Sequence, residues 1–537
     1  MLTETIEVHA PIEPPIDEIL SSQALSFLSK LHAEFDDRRR SLLAARPERR
    51  ARIREDPTYP EETAEIREED WTVADVPEAI AKRTVEITGP TDRKMMIKAL
   101  NSGADVFMAD LEDANSPTWT NMACGQVNLY DAVRQEITVT KDDDTVYEVD
   151  EDPAELFVRP RGLHLEEDRV RVDGDPVAGS FFDAGLHLFH NAQRLAERDQ
   201  GPFFYLPKLE GHEEARLWAD LFRSAEDELG LEPGTIKATV LLETLPAAFE
   251  MPEILYELRD HSAGMNAGRW DYIFSVIKTF RDDPTKVLPD RSQVTMTVPF
   301  MEAYTERLVR VCHERGAHAI GGMAAFIPSS DPEVNETAFA EVEQDKQREA
   351  GQGFDGTWVA HPALVDVARE PFEAVLDGEP NQIDAKRSDV DVAPEDLVRV
   401  GEPGSATAPA YGSITHDGLE QNVGVGIRYV ESWLRGQGAA AIFSLMEDTA
   451  TAEISRSQVW QWVHREVELD DGSEITPELV REVADAQVDA IREERDEDQL
   501  ADARLEEARE VFEQVALADE FVDFLTQPAQ KRLPEGR

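Results

Sequence analysis

The sequence has few cysteines and no long apolar run, which disfavours a disulfide-rich protein and a membrane-spanning one. The 537 residues include only two cysteines, Cys124 and Cys312, and neither lies in a spacing typical of metal ligands. Two free thiols in a reducing compartment are the simplest interpretation. No stretch approaches the roughly 18 consecutive apolar residues of a membrane span, and the first residues, MLTETIEVHAPIEPP, lack the pattern of an export signal. The last residues, PEGR, are not a peroxisomal address. We therefore expect a cytoplasmic protein without a membrane segment.

Basic residues, and lysine above all, are scarce. Lysine and arginine together number 54, of which 12 are lysine, against 111 acidic residues, so the formal net charge is −57. Nucleic acids and anionic membranes are disfavoured as partners because both need a basic patch. Disorder is disfavoured too, since 41% of the residues are hydrophobic. An acidic, lysine-poor surface is typical of a cytosol with molar salt, where charges are screened within about 3 Å. We expect a halophilic protein, and the sequence leaves its oligomeric state open.

The chain is too long for one ordinary core, and its composition divides it into four parts. Residues 1–80 are expected to form an N-terminal helical segment, because an apolar stripe at helical spacing runs through 16–55. Residues 81–370 alternate between short apolar runs and helical stretches and are the expected catalytic domain. Residues 371–410 are rich in Asp, Pro and Gly and are expected to be a linker. Residues 411–537 are expected to form a C-terminal helical domain.

Eight short apolar runs recur in the central part of the chain. They are VEIT at 85–88, VFMADLED at 106–113, LFVRPRG at 156–162, FFYLPKLE at 203–210, TVLLET at 239–244, DYIFSVI at 271–277, GAHAIGGMA at 316–324 and GTWVAHP at 356–362. Continuous apolar runs separated by helices indicate buried parallel strands. The sequence therefore predicts an α/β fold of the (β/α)8 TIM-barrel type, with a doubly wound sheet as the alternative.

Acidic residues at the ends of these runs are candidates for a metal site. Glu243 ends TVLLET, and Asp271 lies 28 positions further on, after a segment with three small-residue positions. Two carboxylates from successive strand ends suit a hard divalent cation such as Mg²⁺, with water and a chelating substrate completing the coordination. Asp110, Glu112 and Asp113 in MADLED would lie behind this pair. A salt-bridged or exposed pair is the alternative, and it is common in so acidic a chain.

Two further residues are candidates for catalysis. Arg159 ends another run, in FVRPRG, where a guanidinium can hold a carboxylate or stabilise an enolate oxygen. An ion pair with a surface acid explains that arginine equally well. Asp448 follows an apolar run in the C-terminal part, and its local pattern indicates no more than a cap for a helix that begins near Ala450.

The segment RDHSAGMNAGRWDYIF at 259–274 resembles the signature of malate synthases. Met265 stands where that family usually has leucine, which is a volume-conserving change. Six other segments look like the shorter, A-type branch of the family, namely FVRPRGLHL, GPFFYLPKLE, IKATVLLETLPAAFEM, RGAHAIGGMAAFIP, DGTWVAHP and LMEDTATAEISR. The resemblance covers roughly residues 10–530, and no long insertion marks the larger, G-type branch.

The resemblance implies an acyltransferase of the glyoxylate bypass, which is linked to the tricarboxylic acid cycle. Such an enzyme carries out a Mg²⁺-dependent Claisen condensation of acetyl-CoA with glyoxylate and then hydrolyses malyl-CoA to malate and CoA. By motif, Glu243 and Asp271 would hold the metal. Arg159 would be the active-site arginine that stabilises the enolate, and Asp448 would be the catalytic acid/base that removes the methyl proton.

The resemblance also implies substrate-binding residues. Main-chain N–H groups of the segment that begins with Gly268, Arg269 and Trp270 would bind the carboxylate of glyoxylate. Trp358 would line the acetyl-CoA pocket, although a place in the hydrophobic core explains this tryptophan nearly as well.

Two other functions fit parts of the pattern. A lyase that cleaves malyl-CoA-like or citramalyl-CoA-like thioesters would share the barrel, the metal pair and MADLED, a motif that also resembles citrate lyase β-subunits. Such a lyase would not need a C-terminal helical domain. A noncatalytic binding protein would have little reason to keep Arg159, Glu243, Asp271 and Asp448 together.

Overall fold

The computed structural model describes residues 5–141, 144–329, 331–401 and 408–533. The final PEGR and the stretch 402–407 of the expected linker lie outside the described residues. Among the described helices, none is both long enough and apolar enough to cross a membrane.

A long helix dominates the N-terminal part. The elements here are β1 (Ile6–Val8), α1 (Ile16–Ile19), α2 (Ser22–Glu55) and α3 (Ala64–Glu68). Helix α2 begins after Ser21, whose hydroxyl accepts a hydrogen bond from the main-chain N–H of Ala24 at 3.3 Å. Its apolar stripe is buried, and the helix packs against helices of the central domain. The predicted helical stretch at 16–55 is confirmed, but it is divided into two helices at residues 20–21, and the strand β1 was not predicted.

Eight parallel strands in the middle of the chain close into a barrel. In chain order this part consists of β2 (Val85–Pro90), α4 (Arg93–Leu100), β3 (Val106–Asp110), α5 (Trp119–Val133), β4 (Thr138–Thr140), β5 (Val146–Glu148), β6 (Glu155–Arg159), β7 (Glu166–Val172), β8 (Asp175–Ala178), α6 (Gly179–Ala196), β9 (Phe203–Leu206), α7 (His212–Leu229), β10 (Lys237–Leu242), α8 (Leu245–Phe249), α9 (Met251–Glu257), β11 (Ser262–Ala267), α10 (Arg269–Phe280), α11 (Pro299–Glu314), β12 (Ala319–Ala324), α12 (Pro332–Gln352), β13 (Gly356–Val359) and α13 (Val365–Leu376).

The barrel strands are β2, β3, β6, β9, β10, β11, β12 and β13, and each pairs in parallel with the next around the ring. The predicted (β/α)8 fold is therefore confirmed. A doubly wound sheet is excluded because β13 pairs with β2 and leaves the ring without an open edge. The strand β1 joins β7 and β8 in a separate antiparallel sheet.

The sixth barrel strand lies earlier in the chain than the pattern predicts. The apolar run at 271–277, predicted as a strand, is part of helix α10, and the strand is β11. A short apolar run has no period that separates a buried helix from a buried strand, and every position of this run is buried. The strand itself is rich in small residues. A side chain at Gly264, where φ is 113°, would meet the main-chain oxygen of His318 at 2.2 Å.

Side chains of the barrel strands alternate between two cores. Val106 and Met108 of β3 belong to the cluster inside the barrel, whereas Phe107 and Ala109 belong to the layer between the barrel and its helices. The inner cluster fills the barrel below the carboxyl ends of the strands. The open end of the barrel is therefore the place where polar side chains can gather.

The C-terminal part has its own hydrophobic core. Its elements are α14 (His416–Leu434), β14 (Ala440–Ile442), β15 (Leu445–Glu447), α15 (Thr449–His464), α16 (Pro477–Glu494), α17 (Glu497–Ala501), α18 (Leu505–Ala516) and α19 (Thr526–Gln530). Helix α16 begins after Thr476, whose hydroxyl accepts a hydrogen bond from the main-chain N–H of Leu479 at 3.2 Å. After α18 the chain returns to the barrel, where Asp523 forms ion pairs with Arg50 of α2 at 3.3 Å and Lys278 of α10 at 3.5 Å.

The expected linker at 371–410 is partly built into the surface of the barrel. Residues 371–376 belong to α13, and Val390, Leu397 and Val400 are buried. The domain boundaries drawn from composition stay a prediction.

Candidate active site

Charged side chains gather at the carboxyl ends of the barrel strands. Asp110 ends β3 and Arg159 ends β6, and the strand register places the two residues side by side. Glu243 follows the last residue of β10, and Lys208 lies two positions beyond the end of β9. The topology thus brings together residues that are far apart in the sequence.

Asp110 orients Arg159 and also shapes the loop that follows β3. The Arg159 Nε donates to Asp110 Oδ1 at 2.7 Å, and Nη2 donates to Oδ2. The same two oxygens accept hydrogen bonds from the main-chain N–H groups of Glu112 at 2.8 Å and Ala114 at 2.7 Å. The guanidinium is therefore held by a two-point contact, and its Nη1 lies 3.5 Å from Asp113 and 3.7 Å from Glu112.

Four buried carboxylates contact Lys208, three through its ammonium and one through its main-chain N–H. Its Nζ lies 2.8 Å from Asp113 Oδ2, 3.0 Å from Glu112 Oε1 and 3.2 Å from Asp271 Oδ2. The main-chain N–H of Lys208 donates to Glu243 Oε1 at 2.7 Å. One lysine therefore contacts all four acids.

The electrostatics of this cluster favour a further cation. Burial raises the pKa of Asp271, Glu112 and Glu243 above the ordinary value, and repulsion from neighbouring carboxylates adds to the rise. Burial acts in the same direction on Asp113, but attraction to Lys208 and Arg159 outweighs it and lowers the pKa of that group. The four carboxylates thus carry more negative charge than Lys208 and Arg159 can neutralise.

Asp271 stands in the first turn of α10, where a carboxylate is favoured by the helix dipole. Its Oδ1 is buried and has no hydrogen-bond partner among the described residues. Gly268 precedes the helix and lets its main chain approach Glu243: a Cβ at this position would lie 2.9 Å from Glu243 Oε2. Because Gly268 has no side chain, Glu243 and Asp271 both line one small cavity of about 50 Å³. This pair therefore presents oxygen atoms that fit a hard cation such as Mg²⁺.

Within the described ranges, no group of three or more His, Cys, Asp or Glu side chains is arranged to hold a metal ion. Glu243 and Asp271 are a pair, and Mg²⁺ commonly keeps several water or substrate ligands beside one or two protein carboxylates. The donor set is thus compatible with Mg²⁺.

A hairpin from the C-terminal part brings Asp448 over the barrel. Strands β14 and β15 form the hairpin, and its second strand continues onto the segment after β12: the main-chain N–H of Met446 donates to Ala325 O at 2.7 Å, and that of Ile327 donates to Ser444 O at 3.0 Å. Asp448 comes directly after the hairpin. Thr449 then donates to the main-chain oxygen of Asp113 at 3.3 Å through its hydroxyl, which ties the start of α15 to the MADLED loop.

Asp448 lies at the junction of two cavities. The small cavity that contains Glu243 and Asp271 and a larger one of about 600 Å³ share Thr88, Met323 and Asp448 as lining residues. Burial raises the pKa of Asp448 to about 7, with repulsion from Asp113 adding to the rise and attraction to Arg159 opposing it. A carboxylate with such a pKa can exchange a proton near neutral pH. Asp448 also caps helix α15, as its local sequence indicates.

The remaining candidates lie on or behind these cavities. Arg269, Trp270 and Trp358 line the small cavity, and the Arg269 guanidinium stacks over the Trp270 ring at 4.3 Å. Trp358 is 6% exposed, belongs to the inner core of the barrel, and donates through its indole N–H to Glu86 at 3.0 Å. It is absent from the lining of the larger cavity, so its predicted contact with acetyl-CoA stays a prediction.

Lys208 is the residue whose importance the sequence did not reveal. Lys208 lies in PKLE at the end of a predicted strand, and a lysine at a barrel strand end is notable in a chain that has only 12. Its partner Asp113 belongs to the acidic cluster of MADLED, which was expected to lie behind the metal pair. The two residues follow β9 and β3, which have only β6 between them in the ring, so the order of the strands in the barrel brings them together.

The sequence is similar to those of known proteins of one family. Models of the malate synthase N-terminal domain, TIM barrel domain and C-terminal domain match residues 4–56, 155–400 and 413–533. Malate synthase of Streptomyces clavuligerus is 52% identical over 535 residues, which is 98% of this chain and 98% of that protein. Malate synthase A of Escherichia coli (strain K12) is 43% identical over 534 residues, 99% of this chain and 98% of that protein.

One solved structure, a Haloferax volcanii malate synthase in ternary complex with pyruvate and acetyl-CoA, is 18% identical, has a TM-score of 0.43, and covers 70% of this chain and 90% of that one. The full-length relatives decide the assignment, because they match the chain from end to end at more than 40% identity. The chain is thus an acyltransferase that belongs to the malate synthase family.

Proposed function

We propose that the protein condenses acetyl-CoA with glyoxylate and hydrolyses the resulting thioester, with Mg²⁺ as cofactor, in the glyoxylate bypass. The observation that carries this proposal is the position of Asp448, whose carboxylate lines both the small cavity with the acidic pair and the large cavity beside it. A group at that junction can reach two substrates held on either side of it.

Glu243 and Asp271 would hold the metal ion. Two observations support this assignment. Asp271 Oδ1 has no hydrogen-bond partner among the described residues. Burial raises the pKa of both carboxyl groups, and repulsion from the neighbouring carboxylates raises it further. When bound, Mg²⁺ would polarise the aldehyde carbonyl of glyoxylate as a Lewis acid. Asp110 and Glu112 would act from behind, Asp110 by orienting Arg159 and Glu112 through its contact with Lys208.

The carboxylate of glyoxylate would bind at the start of α10. The main-chain N–H groups of the first helical turn have no acceptor within the helix, and the dipole of a 12-residue helix favours an anion there. Gly268 leaves room for the ligand beside this turn. Trp270 and Trp358 would bound the same small cavity, whose volume of about 50 Å³ suits a two-carbon acid.

Asp448 would remove a proton from the methyl group of acetyl-CoA. Its raised pKa of about 7 makes it a stronger base than an exposed aspartate. The methyl group is a very weak acid, so most of the rate enhancement must come from stabilising the enolate oxygen that develops. Arg159 would supply that stabilisation, because Asp110 fixes its guanidinium at the small cavity by two hydrogen bonds.

The larger cavity would receive acetyl-CoA. It extends from Asp448 past Asn115 and Cys124 to Met95, which is exposed, so it connects the site with the surface. Main-chain atoms of Gly436 and Gly438 line its other side. A thioester placed in this cavity would direct its acetyl end toward Asp448.

Release of CoA from acetyl-CoA, measured in roughly molar KCl with and without glyoxylate and Mg²⁺, tests the proposal. The proposed enzyme releases CoA only when both are present. A lyase would instead cleave malyl-CoA to acetyl-CoA and glyoxylate without releasing free CoA. The position of Asp448, on a C-terminal domain that such a lyase does not need, speaks against that alternative.

We also propose a cytoplasmic location in a salt-adapted cell. The free thiols of Cys124 and Cys312 are compatible with a reducing compartment. The net charge of −57 is compatible with high salt, which screens the repulsion between surface acids.

A further inference from the structure

We propose that Lys208 is a positioning residue that fixes both proposed metal ligands at once. Its ammonium would hold Asp271 close to Asp113, and its main-chain N–H would hold Glu243. This inference rests on the proposed function, because it assigns a purpose to contacts with residues proposed to bind Mg²⁺.

The ammonium of Lys208 links two halves of the site. On one side its Nζ lies 3.2 Å from Asp271 Oδ2, at the proposed metal position. On the other side it lies 2.8 Å from Asp113 Oδ2, and Asp113 also faces Arg159 Nη1 at 3.5 Å. The main-chain oxygen of Asp113 accepts the hydroxyl of Thr449, the residue after Asp448. Lys208 therefore stands between the acid that would hold the metal and the loop that anchors the proposed base.

The main chain of Lys208 is held in an uncommon conformation that makes the second contact. Its φ of 54° is in the left-handed region, which a residue with a Cβ seldom adopts without external support. Helix α2 supplies the support: Arg46 donates through Nη2 to the main-chain oxygen of Lys208 at 2.9 Å, and its guanidinium is itself held by Glu214 at 2.8 Å. The peptide of Lys208 is thereby aimed so that its N–H reaches Glu243 Oε1 at 2.7 Å.

The charges around Lys208 explain why an ammonium is needed at this point. Glu112, Asp113, Glu243 and Asp271 approach this residue from two strand ends and one helix. With a neutral side chain in its place, Asp113 and Asp271 would face each other with no cation between them. Repulsion between like charges in a buried site is strong, so at least one carboxylate would leave its present position.

The test measures Mg²⁺ binding by titration calorimetry in molar KCl without either substrate, so that it does not depend on turnover. Lys208→Met removes the charge and keeps the length of the side chain, and Lys208→Arg keeps the charge. Lys346→Met is the matched control: Lys346 is also fully buried and pairs with Glu349 at 3.1 Å, but it lines neither cavity. If Lys208→Met does not fold, Lys208→Gln is measured in its place.

We expect Lys208→Met to bind Mg²⁺ at least tenfold more weakly than the parent, Lys208→Arg to lose less, and Lys346→Met to bind as the parent does. The kcat of Lys208→Met is expected to fall by a larger factor than its KM for acetyl-CoA changes. Mg²⁺ affinity that is unchanged or tighter in Lys208→Met, or an equal loss in the methionine and arginine variants, would overturn the proposal.

The failure of this inference can be told apart from failure of the proposed function. If Glu243→Gln binds Mg²⁺ as tightly as the parent, the proposed metal site is wrong. If Glu243→Gln loses Mg²⁺ while Lys208→Met keeps it, the metal site stands and only the role of Lys208 is wrong.

Discussion

The carboxylate of Asp448 accepts a hydrogen bond from the main-chain N–H of Thr451 at 3.2 Å, and the Thr451 hydroxyl accepts one from the main-chain N–H of Asp448 at 3.0 Å. This reciprocal pair starts helix α15 and fixes the direction of the Asp448 side chain. Asparagine caps helices about as well as aspartate does. The proposed base can therefore be removed while the cap that holds it in place is kept.

Asp448→Asn is expected to lower kcat by a factor of about 10² or more, because proton removal from the methyl group loses its base. Binding of Mg²⁺ and of glyoxylate, measured by calorimetry, is expected to stay close to that of the parent, since the base acts after the substrates have assembled. The melting temperature serves as the control for the cap. Activity within about tenfold of the parent would remove Asp448 from the mechanism.

The pH dependence of the rate should report on the same group. Because the pKa of Asp448 is raised to about 7, the carboxyl is protonated and unable to accept a proton below that pH. We expect kcat/KM for acetyl-CoA to fall about tenfold for each pH unit below the pKa and to level off above it. Melting temperatures over the same range separate loss of base from loss of fold. A flat profile from about pH 5.5 to 8 would contradict the assignment.

Glu243→Gln and Asp271→Asn are each expected to raise the Mg²⁺ concentration needed for half-maximal activity by at least about tenfold, since each removes a charged oxygen from a site with few protein ligands. Glu253→Gln is a control, because Glu253 is fully buried but lines neither cavity. An unchanged Mg²⁺ requirement in both site variants would eliminate this pair as the metal site.

Gly268→Ala tests the close approach between the start of α10 and Glu243. The φ of Gly268, −86°, is open to alanine, but the added Cβ would lie 2.5 Å from the Cβ of Glu243. We expect Glu243 to be displaced and the Mg²⁺ requirement to rise. Gly351→Ala in α12 is the matched control, since nothing lies within 4 Å of its Cβ position. An equal Mg²⁺ requirement in the two variants would show that the close contact between Gly268 and Glu243 does not affect metal binding.

Salt should stabilise the protein because its charge of −57 produces strong self-repulsion in dilute buffer. We expect activity and tertiary structure to be lost at about 0.1 M salt and the melting temperature to rise as KCl increases toward about 2 M. A parallel series in sucrose controls for solute exclusion, which stabilises without screening charge. A melting temperature that is flat or falls with KCl would mean that the acidity serves another purpose.

The sequence predicted the barrel because buried parallel strands leave continuous apolar runs, and seven of the eight runs overlap strands of the ring. The run at 271–277 is the exception, because it belongs to helix α10. Because every position of this run is buried, it has no exposed polar face that would have revealed the helix. The strand β11 consists mainly of small residues and therefore does not form a recognisable apolar run.

The site was predictable only in part for a related reason. Arg159 and Glu243 lie at the ends of strands that the sequence predicts, so their place in the active site could be predicted from their position in the chain. Asp448 carried no such signal, and its place over the barrel depends on a hairpin that pairs with the segment after β12. Lys208 acquires its surroundings from the ends of two other strands and from two helices, which no local pattern contains.

The ion pair between Arg50 and Asp523 joins positions that are 473 residues apart in the chain. Arg50 also pairs at 2.7 Å with Glu210, two residues beyond Lys208, so the two remote parts meet beside the site. During synthesis, this neighbourhood cannot be completed until Asp523 has left the ribosome. Contacts of such separation form late, because the entropy of closing the intervening loop must be overcome first. Catalytic competence should therefore appear after the barrel has acquired its secondary structure, as a final and separate event in folding.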